Sequence, residues 1–112
     1  MINIDIMMAG GLLEAKKISD LADLYYIPIT AHNVGSNLGT IQSAQCAATM
    51  REFYAHETFG NAGWGGSPDI ITYDRELLKD GCIQLNDKPG AGFEINPEVA
   101  KKYLCEGEQW WD

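Results

Sequence analysis

The sequence predicts a parallel α/β fold that forms one part of a larger sheet or barrel. Three strand-like segments, at residues 2–8, 27–32 and 53–57, alternate with two helix-like segments at 12–25 and 40–50. This alternation is typical of parallel sheets whose strands are joined by helices. Three strands cannot close a barrel, and 112 residues are too few for a complete large-barrel enzyme. On this pattern alone, a barrel and a doubly wound sheet both remain open.

The charge and the cysteine pattern exclude several classes of partner. The formal net charge of −8 disfavours nucleic acid, because the chain contains no basic patch that would overcome repulsion by phosphates. No apolar run approaches the roughly 18 residues of a membrane span. The three cysteines form no Cys-x-x-Cys pair, which argues against a zinc site and a disulfide scaffold. We therefore expect a protein of the reducing cytoplasm without nucleic-acid or membrane partners.

The first strand and helix follow from two different periodicities. Residues 2–8 alternate so that three isoleucines share one face and Asp5 lies on the other. Gly10-Gly11 ends this strand. Apolar residues then recur at helical spacing through residues 12–25, at Ala15, Ile18, Ala22 and Tyr25.

The second and third strands also place ionisable residues near their ends. In residues 27–32, Thr30 and His32 share the face opposite the apolar side chains. Residues 40–50 are rich in alanine and predict a closely packed helix whose buried positions are Ile41, Ala44 and Ala48. In residues 53–57 the alternation predicts that Phe53, Ala55 and Glu57 share one face, with Tyr54 and His56 opposite.

The last half of the chain predicts a different organisation. We divide the chain into residues 1–58, which hold the strands and helices above, and residues 59–112, which hold a loop, a hairpin and a helix. A Gly-rich loop at 60–66 precedes a short strand at 82–85, and Asn96 caps a helix at 97–104. The three tryptophans are expected to be packing anchors against another part of the protein: Trp64, Trp110 and Trp111.

Asp5, His32 and Glu57 are the residues most suited to chemistry. In parallel barrels the active site lies at the C-terminal ends of the strands, where all three are predicted. Asp5 could orient the imidazole of His32 as a general base, and Glu57, if held protonated, could donate to an oxyanion. Other interpretations remain open, because Asp5 could cap a helix, Glu57 could be solvated and His32 could be structural. His56 is less suitable, since alternation points it to the helix-covered face.

Four segments together carry a family resemblance, and they are Asp5-Ile-Met-Met-Ala-Gly-Gly, Glu14-Ala-Lys-Lys-Ile, Ile27-Pro-Ile-Thr-Ala-His-Asn33 and Asp87-Lys-Pro-Gly-Ala-Gly-Phe-Glu94. They resemble the closing section of the mandelate racemase / muconate lactonizing enzyme subgroup of the enolase superfamily. The spacings from Asp5 to His32 and from His32 to Glu57, together with the His-Asn pair, resemble sugar-acid dehydratases that act on galactonate or gluconate.

The resemblance implies strands six to eight of a (β/α)7β barrel, with a C-terminal tail that packs on a capping domain. It implies that His32 is the base, Asp5 orients it, Glu57 stabilises an enediolate and Asn33 binds substrate. The implied reaction is loss of water from a sugar acid to give a 2-keto-3-deoxy acid, with Mg²⁺ as cofactor. An oligomeric enzyme is also implied.

The same resemblance implies that the chain is incomplete as an enzyme. The strands that hold Mg²⁺ in complete members have no counterpart here, so we expect the remainder of the enzyme as another chain or a missing segment, and no activity without it. A degenerate remnant is a further possibility. The alternative functions are an epimerase, racemase or cycloisomerase of the same superfamily and a non-catalytic interaction module.

Overall fold

The computed structural model describes residues 1–59 and 70–111, and it confirms the predicted order of the first five elements. The Gly-rich loop predicted at 60–66, including Trp64, lies outside the described residues. The elements of the first half, in chain order, are β1 (Ile2–Ile4), α1 (Leu12–Asp23), β2 (Ile29–Ala31), α2 (Asn37–Ala47) and β3 (Phe53–His56).

These three strands form one parallel sheet in the order β1-β2-β3. Ile4 lies opposite Ala31, and Ala31 lies opposite His56. The hydrogen-bond ladder continues past the strands, because His32 N donates to Ile4 O and Glu57 N donates to Ala31 O. Since all strands run the same way, their C-terminal ends form a single rim.

β1 is shorter than the predicted strand at 2–8, and Asp5 is the reason. Its Oδ1 atom accepts hydrogen bonds from the backbone N atoms of Met7 and Met8, and Ala9 N donates to Asp5 O. An aspartate that bonds to backbone amides two and three residues later favours a turn over a strand. The chain therefore leaves the sheet at Asp5.

Both helices end earlier than predicted. α1 ends at Asp23, and Tyr26 adopts a left-handed conformation with φ of 54° that turns the chain toward β2. Tyr25, predicted to continue the apolar face of this helix, therefore lies beyond its end and is 69% exposed. α2 begins at Asn37 and ends at Ala47, so that Ala48, predicted to be buried, is exposed.

An irregularity between β2 and β3 corrects the predicted faces of the third strand. Ile29 lies opposite Phe53, but Thr30 lies opposite Ala55, so β3 contains one additional residue at this point. Such a bulge interrupts the two-residue period. Phe53 consequently packs against the core beside Ile29. The prediction that Phe53 and Ala55 share a face is therefore wrong.

Two hydrophobic clusters hold the first half together and connect it to the second. One joins the sheet to both helices through residues that include Ile4, Ala15, Ile29 and Cys46. The other joins α2 to the second half through Ile41, Ile71 and Leu77. α2 contributes to both clusters, so its position determines how the two halves meet.

The second half consists of short antiparallel pairs and a short helix. β4 (Ile71–Thr72) pairs with β7 (Glu94–Ile95), and β5 (Leu78–Lys79) pairs with β6 (Cys82–Ile83). The β5–β6 turn is Asp80-Gly81, with φ of 51° and 76°, as expected for a type I′ hairpin. The predicted strand at 82–85 is thus confirmed only in its first two residues.

The predicted capping of the last helix is confirmed, because the Asn96 side chain accepts a hydrogen bond from Val99 N. The helix is shorter than predicted: α3 (Pro97–Ala100) continues as a 3₁₀ turn (Lys101–Tyr103). Trp110 and Trp111 stack with ring centroids 4.2 Å apart. Their role as anchors against another part of the protein stays a prediction. None of the helices in the described segments combines the length and the apolar character that crossing a bilayer requires.

The central position of β2 leads to a stability prediction. Ile29→Ala removes a fully buried side chain from β2, so we expect the free energy of unfolding to fall by about 2–5 kcal/mol. Leu21→Ala on the exposed face of α1 is the control, expected to stay within about 0.5 kcal/mol. Urea unfolding followed by circular dichroism measures both. Equal effects of the two substitutions would contradict this description of the core.

Candidate active site

The rim of the parallel sheet brings together the three residues that the sequence singles out. Asp5 follows β1, His32 follows β2 and Glu57 follows β3. Asp5 Oδ2 lies 2.8 Å from His32 Nδ1, and Glu57 Oε2 lies 3.7 Å from His32 Nε2. The imidazole therefore lies between two carboxyl groups, as predicted. Their catalytic roles stay predictions.

Asp5 is held in its ionised form. Partial burial favours the neutral acid, but hydrogen bonds from His32 and from the Met7 and Met8 amides outweigh it and lower the pKa of Asp5 below its ordinary value. The proposed alternative role of Asp5 as a cap of α1 is not found. α1 begins after Gly11 without a side-chain cap, and Asp5 instead caps the turn that follows β1.

The ionised Asp5 determines which nitrogen of His32 carries the proton. A carboxylate accepts hydrogen bonds but cannot donate them, so His32 Nδ1 must be the donor of the 2.8 Å bond. In the neutral imidazole, Nε2 then carries the free lone pair. This is the arrangement of a general base whose second nitrogen is oriented by a carboxylate.

Glu57 is positioned differently from Asp5. Its distance of 3.7 Å from His32 Nε2 is too long for a hydrogen bond. Its side chain is 52% exposed, so the described residues do not enclose it. Glu57 and Nε2 face the same open side of the rim, where a substrate could contact both.

Asn33 was predicted to bind substrate, and its side chain is 6% exposed. Its Nδ2 donates to Thr40 Oγ1 at 2.6 Å and to Ser36 O at 3.3 Å, and its Oδ1 accepts from Gly35 N. The amide thus organises the loop between β2 and α2. Substrate binding by Asn33 stays a prediction, and the hydrogen bonds support a structural contribution.

His56, the other histidine of the chain, lines a cleft beside α2 and does not take part in the Asp5–His32 pair. Among the described residues neither of its ring nitrogens, both buried, has a hydrogen-bond partner. Burial lowers the pKa of His56, and neighbouring groups of Glu57 and Thr40 offset this only in part. A neutral, enclosed imidazole is poorly placed to exchange protons with a substrate.

The described residues do not fit a Mg²⁺ site. Within residues 1–59 and 70–111 there is no group of three or more His, Cys, Asp or Glu side chains that could hold a metal ion. Mg²⁺ requires oxygen ligands in octahedral geometry, and Asp5 and Glu57 lie on opposite sides of the imidazole.

Sequence reasoning missed two hydroxyl residues behind the rim. Thr40 Oγ1 lies 3.3 Å from Thr58 Oγ1 and also accepts the hydrogen bond from Asn33. The sequence contained one indication of this contact, the glycine at position 39, directly before the predicted helix. In the structure, a Cβ atom at Gly39 would lie only 2.8 Å from Asn33 Oδ1. A glycine inside a helix indicates a close approach, but the partner is not visible in the sequence.

A parallel sheet with a carboxylate-bonded histidine at its C-terminal rim is typical of part of an α/β-barrel protein. The chain belongs to the "Enolase C-terminal domain-like" family, whose model matches residues 1–99. The family has a TIM-barrel-like fold. The alternating strands and helices and the parallel sheet described above agree with such a fold.

Proteins similar to this chain include sugar-acid dehydratases and another enzyme of the superfamily. D-xylonate dehydratase of Haloferax volcanii is 38% identical over 109 residues, which are 96% of this chain and 26% of that protein. o-Succinylbenzoate synthase of Bacillus subtilis is 31% identical over 92% of this chain and 28% of its own length. An enolase from Pantoea ananatis, solved with bound D-gluconate and Mg, matches 96% of this chain and 26% of its own with a TM-score of 0.74 and 27% identity.

The chain therefore spans about a quarter of the length of these relatives. The match covers almost the whole of this chain, so the relatives are longer because they contain further sequence outside the matched region.

The lowered pKa of Asp5 leads to a prediction about acid stability. A lowered carboxyl pKa contributes stability that is present above the ordinary value of 3.8 and is lost as the pH falls through the lower folded-state value. We expect Asp5→Asn to be less stable than the unchanged chain at pH 6, and the difference to shrink steadily below pH 3.8. Urea unfolding across this pH range measures it. A difference that stays constant with pH would contradict the ionised state of Asp5.

Proposed function

We propose that this chain is the C-terminal portion of a Mg²⁺-dependent sugar-acid dehydratase, in which β1, β2 and β3 are barrel strands six, seven and eight. The observation that carries the proposal is the 2.8 Å hydrogen bond between Asp5 and His32 at the C-terminal rim of a parallel sheet. The similarity to D-xylonate dehydratase supports the class of reaction and substrate.

In the proposed reaction, His32 Nε2 abstracts the proton from the carbon next to the carboxylate of a sugar acid. Asp5 stabilises the imidazolium that forms, because its ionised carboxylate lies against Nδ1. Glu57, in its protonated form, donates a hydrogen bond to the oxygen of the enediolate. The hydroxyl on the neighbouring carbon then leaves as water with the proton that His32 Nε2 has taken up, and the resulting enol tautomerises to a 2-keto-3-deoxy acid.

The metal of the proposed enzyme must be held elsewhere. Because no described cluster of side chains fits Mg²⁺, its ligands belong to the additional sequence that the relatives have. The Pantoea ananatis enolase with bound Mg supports a role for this ion in the completed enzyme.

The sheet itself offers places where the rest of a barrel would attach. In the order β1-β2-β3, the outer edges of β1 and β3 are not paired by any other described strand. Beside β3 lies a cleft of about 610 Å³, lined mainly by apolar residues such as Ala47, Ile83 and Leu85. Unpaired edges next to apolar surface favour the addition of further strands.

The proposed partners follow from these surfaces. The remainder of the barrel, as a separate chain or as more of the same polypeptide, covers the two edges, and a capping domain covers the tail with Trp110 and Trp111. The completed enzyme is an oligomer. We place it in the cytoplasm, because Cys46, Cys82 and Cys105 are free thiols.

A second candidate is an epimerase, racemase or cycloisomerase that forms the same enediolate. The similarity to o-succinylbenzoate synthase as well as to a sugar-acid dehydratase keeps this alternative open, because the relatives include more than one reaction. A third candidate is a non-catalytic interaction module, whose partner would bind at the outer edges of β1 and β3. Assays for keto-acid formation and for inversion of the substrate separate the first two.

Replacing the proposed base tests the dehydratase directly. In the assembly of this chain with the remainder of the barrel, we expect His32→Asn to lower turnover of D-xylonate or D-gluconate by at least about 100-fold, because the base is lost. The matched control is His56→Asn, expected to keep most of the activity. Keto-acid formation measures both. Near-normal turnover by His32→Asn would show that His32 is not the base.

Removal of the metal tests the divided site. We expect EDTA to abolish keto-acid formation by the completed assembly and added Mg²⁺ to restore it. Isothermal titration of the isolated chain with Mg²⁺ should show no specific binding, because the described residues provide no ligand cluster. Tight binding by the isolated chain would refute the assignment of the ligands to the remainder.

A further inference from the structure

The position of Glu57 needs an explanation other than its contact with His32. The 3.7 Å separation from Nε2 is not a hydrogen bond, and the Glu57 side chain is half exposed. Its backbone is held on one side, where Glu57 N donates to Ala31 O. The next residue, Thr58, begins the chain beyond β3, and its hydroxyl lies within hydrogen-bond distance of Thr40 Oγ1.

Thr58 is connected through Thr40 to the segment that follows His32. Asn33 Nδ2 donates to Thr40 Oγ1 at 2.6 Å, and Thr40 Oγ1 lies 3.3 Å from Thr58 Oγ1. Asn33 and Thr58 directly follow the two rim residues His32 and Glu57. One hydroxyl on α2 thus joins the chain immediately behind the base to the chain immediately behind the carboxyl group.

We propose that Thr40 is a positioning residue, which fixes the distance between His32 Nε2 and the carboxyl group of Glu57. This inference rests on the proposed function, in which both groups contact one substrate. Thr40 does not contact the substrate itself. It lies behind the rim at 1% exposure and acts through the backbone of the two rim segments.

The chemistry of threonine suits this position. Its hydroxyl can accept the bond from Asn33 and still pair with Thr58, which a purely apolar residue could not do. Its branched Cβ restricts the side chain to few rotamers, so the hydroxyl has a defined location. Gly39 leaves the space in which Asn33 reaches this hydroxyl, as the 2.8 Å approach to its missing Cβ shows.

Burial on α2 does not by itself give a hydroxyl hydrogen bonds to the two rim segments. Ser43, on the same helix, is also 1% exposed, but among the described residues its Oγ has no hydrogen-bond partner. Ser43 is therefore a matched control: removing its hydroxyl deletes a buried polar atom from α2 without separating the rim segments.

The first experiment measures kinetics in the completed assembly. We expect Thr40→Val to lower kcat by about 10- to 100-fold with little change in KM, because a displacement of about 1 Å between reacting groups has an effect of this size. Thr40→Ser, which keeps the hydroxyl, should stay within about threefold of the unchanged enzyme. Ser43→Ala should be unaffected. Equal kcat values for Thr40→Val and Ser43→Ala would overturn the proposal.

The second experiment uses the 112-residue chain alone, so it does not depend on turnover. In two-dimensional NMR spectra we expect a nuclear Overhauser effect between the His32 Hε1 proton and the Glu57 γ protons, and its loss in Thr40→Val. The downfield His32 Nδ1 proton should remain, showing that the bond to Asp5 is intact. Thr58→Val, which leaves the Asn33–Thr40 bond in place, should have the same effect if Thr40→Val does not fold.

The two experiments separate the failure of the inference from the failure of the proposed function. Loss of the Overhauser effect in a chain whose completed assembly makes no keto acid would leave the positioning role intact and refute the dehydratase. An Overhauser effect that persists in both Thr40→Val and Thr58→Val would refute the positioning role, whatever the activity.

Discussion

The register between β1 and β2 is the constraint on which the candidate site depends. Because Ile4 lies opposite Ala31, the next residues, Asp5 and His32, emerge side by side at the rim, where their side chains are joined by a 2.8 Å hydrogen bond. A shift by one residue would move Asp5 to the face of the isoleucines and leave the imidazole without its carboxylate. The buried Ile4 and Ile29 oppose such a shift, since it would expose both. The core thus specifies the site through the register.

α2 determines the position of the third residue of the site, Glu57. It contributes Cys46 to the cluster beneath the sheet and Ile41 to the cluster shared with the second half. The packing of both ends of the helix leaves Thr40 in the interior, where a hydroxyl without a partner would destabilise the fold by about 1–3 kcal/mol. The bonds to Asn33 and Thr58 remove this cost. They also connect the chain that follows β2 to the chain that follows β3.

The sequence predicted the site better than it predicted the surrounding packing, and the reason lies in the periodicity involved. Asp5 and His32 lie one residue beyond short regular strands, so a two-residue alternation places them correctly. Phe53 lies at the bulge, which no local pattern reveals, and Tyr25 follows a helix whose end depends on the left-handed conformation of Tyr26. The β4–β7 pair was missed because each strand has only two residues, too few for alternation to be visible. The link from Thr40 to Thr58 joins residues far apart in sequence and could come only from the fold.

The geometry of the rim is the reason that, under the proposed function, we expect no catalysis by this chain alone. A proton on a carbon next to a carboxylate is very weakly acidic, and imidazole can remove it only if the negative charge that develops is stabilised strongly. The described residues provide one carboxyl group for this purpose, Glu57, which is half exposed to water and therefore interacts weakly with an oxyanion. Asp5 has a lowered pKa and is already bonded to the other side of the imidazole, so in the proposed reaction it stabilises the base and not the enediolate. Under the proposed function, proton transfer and charge stabilisation are thus separated: this chain supplies the oriented base, and the remaining stabilisation comes from groups that cover the open side of the rim.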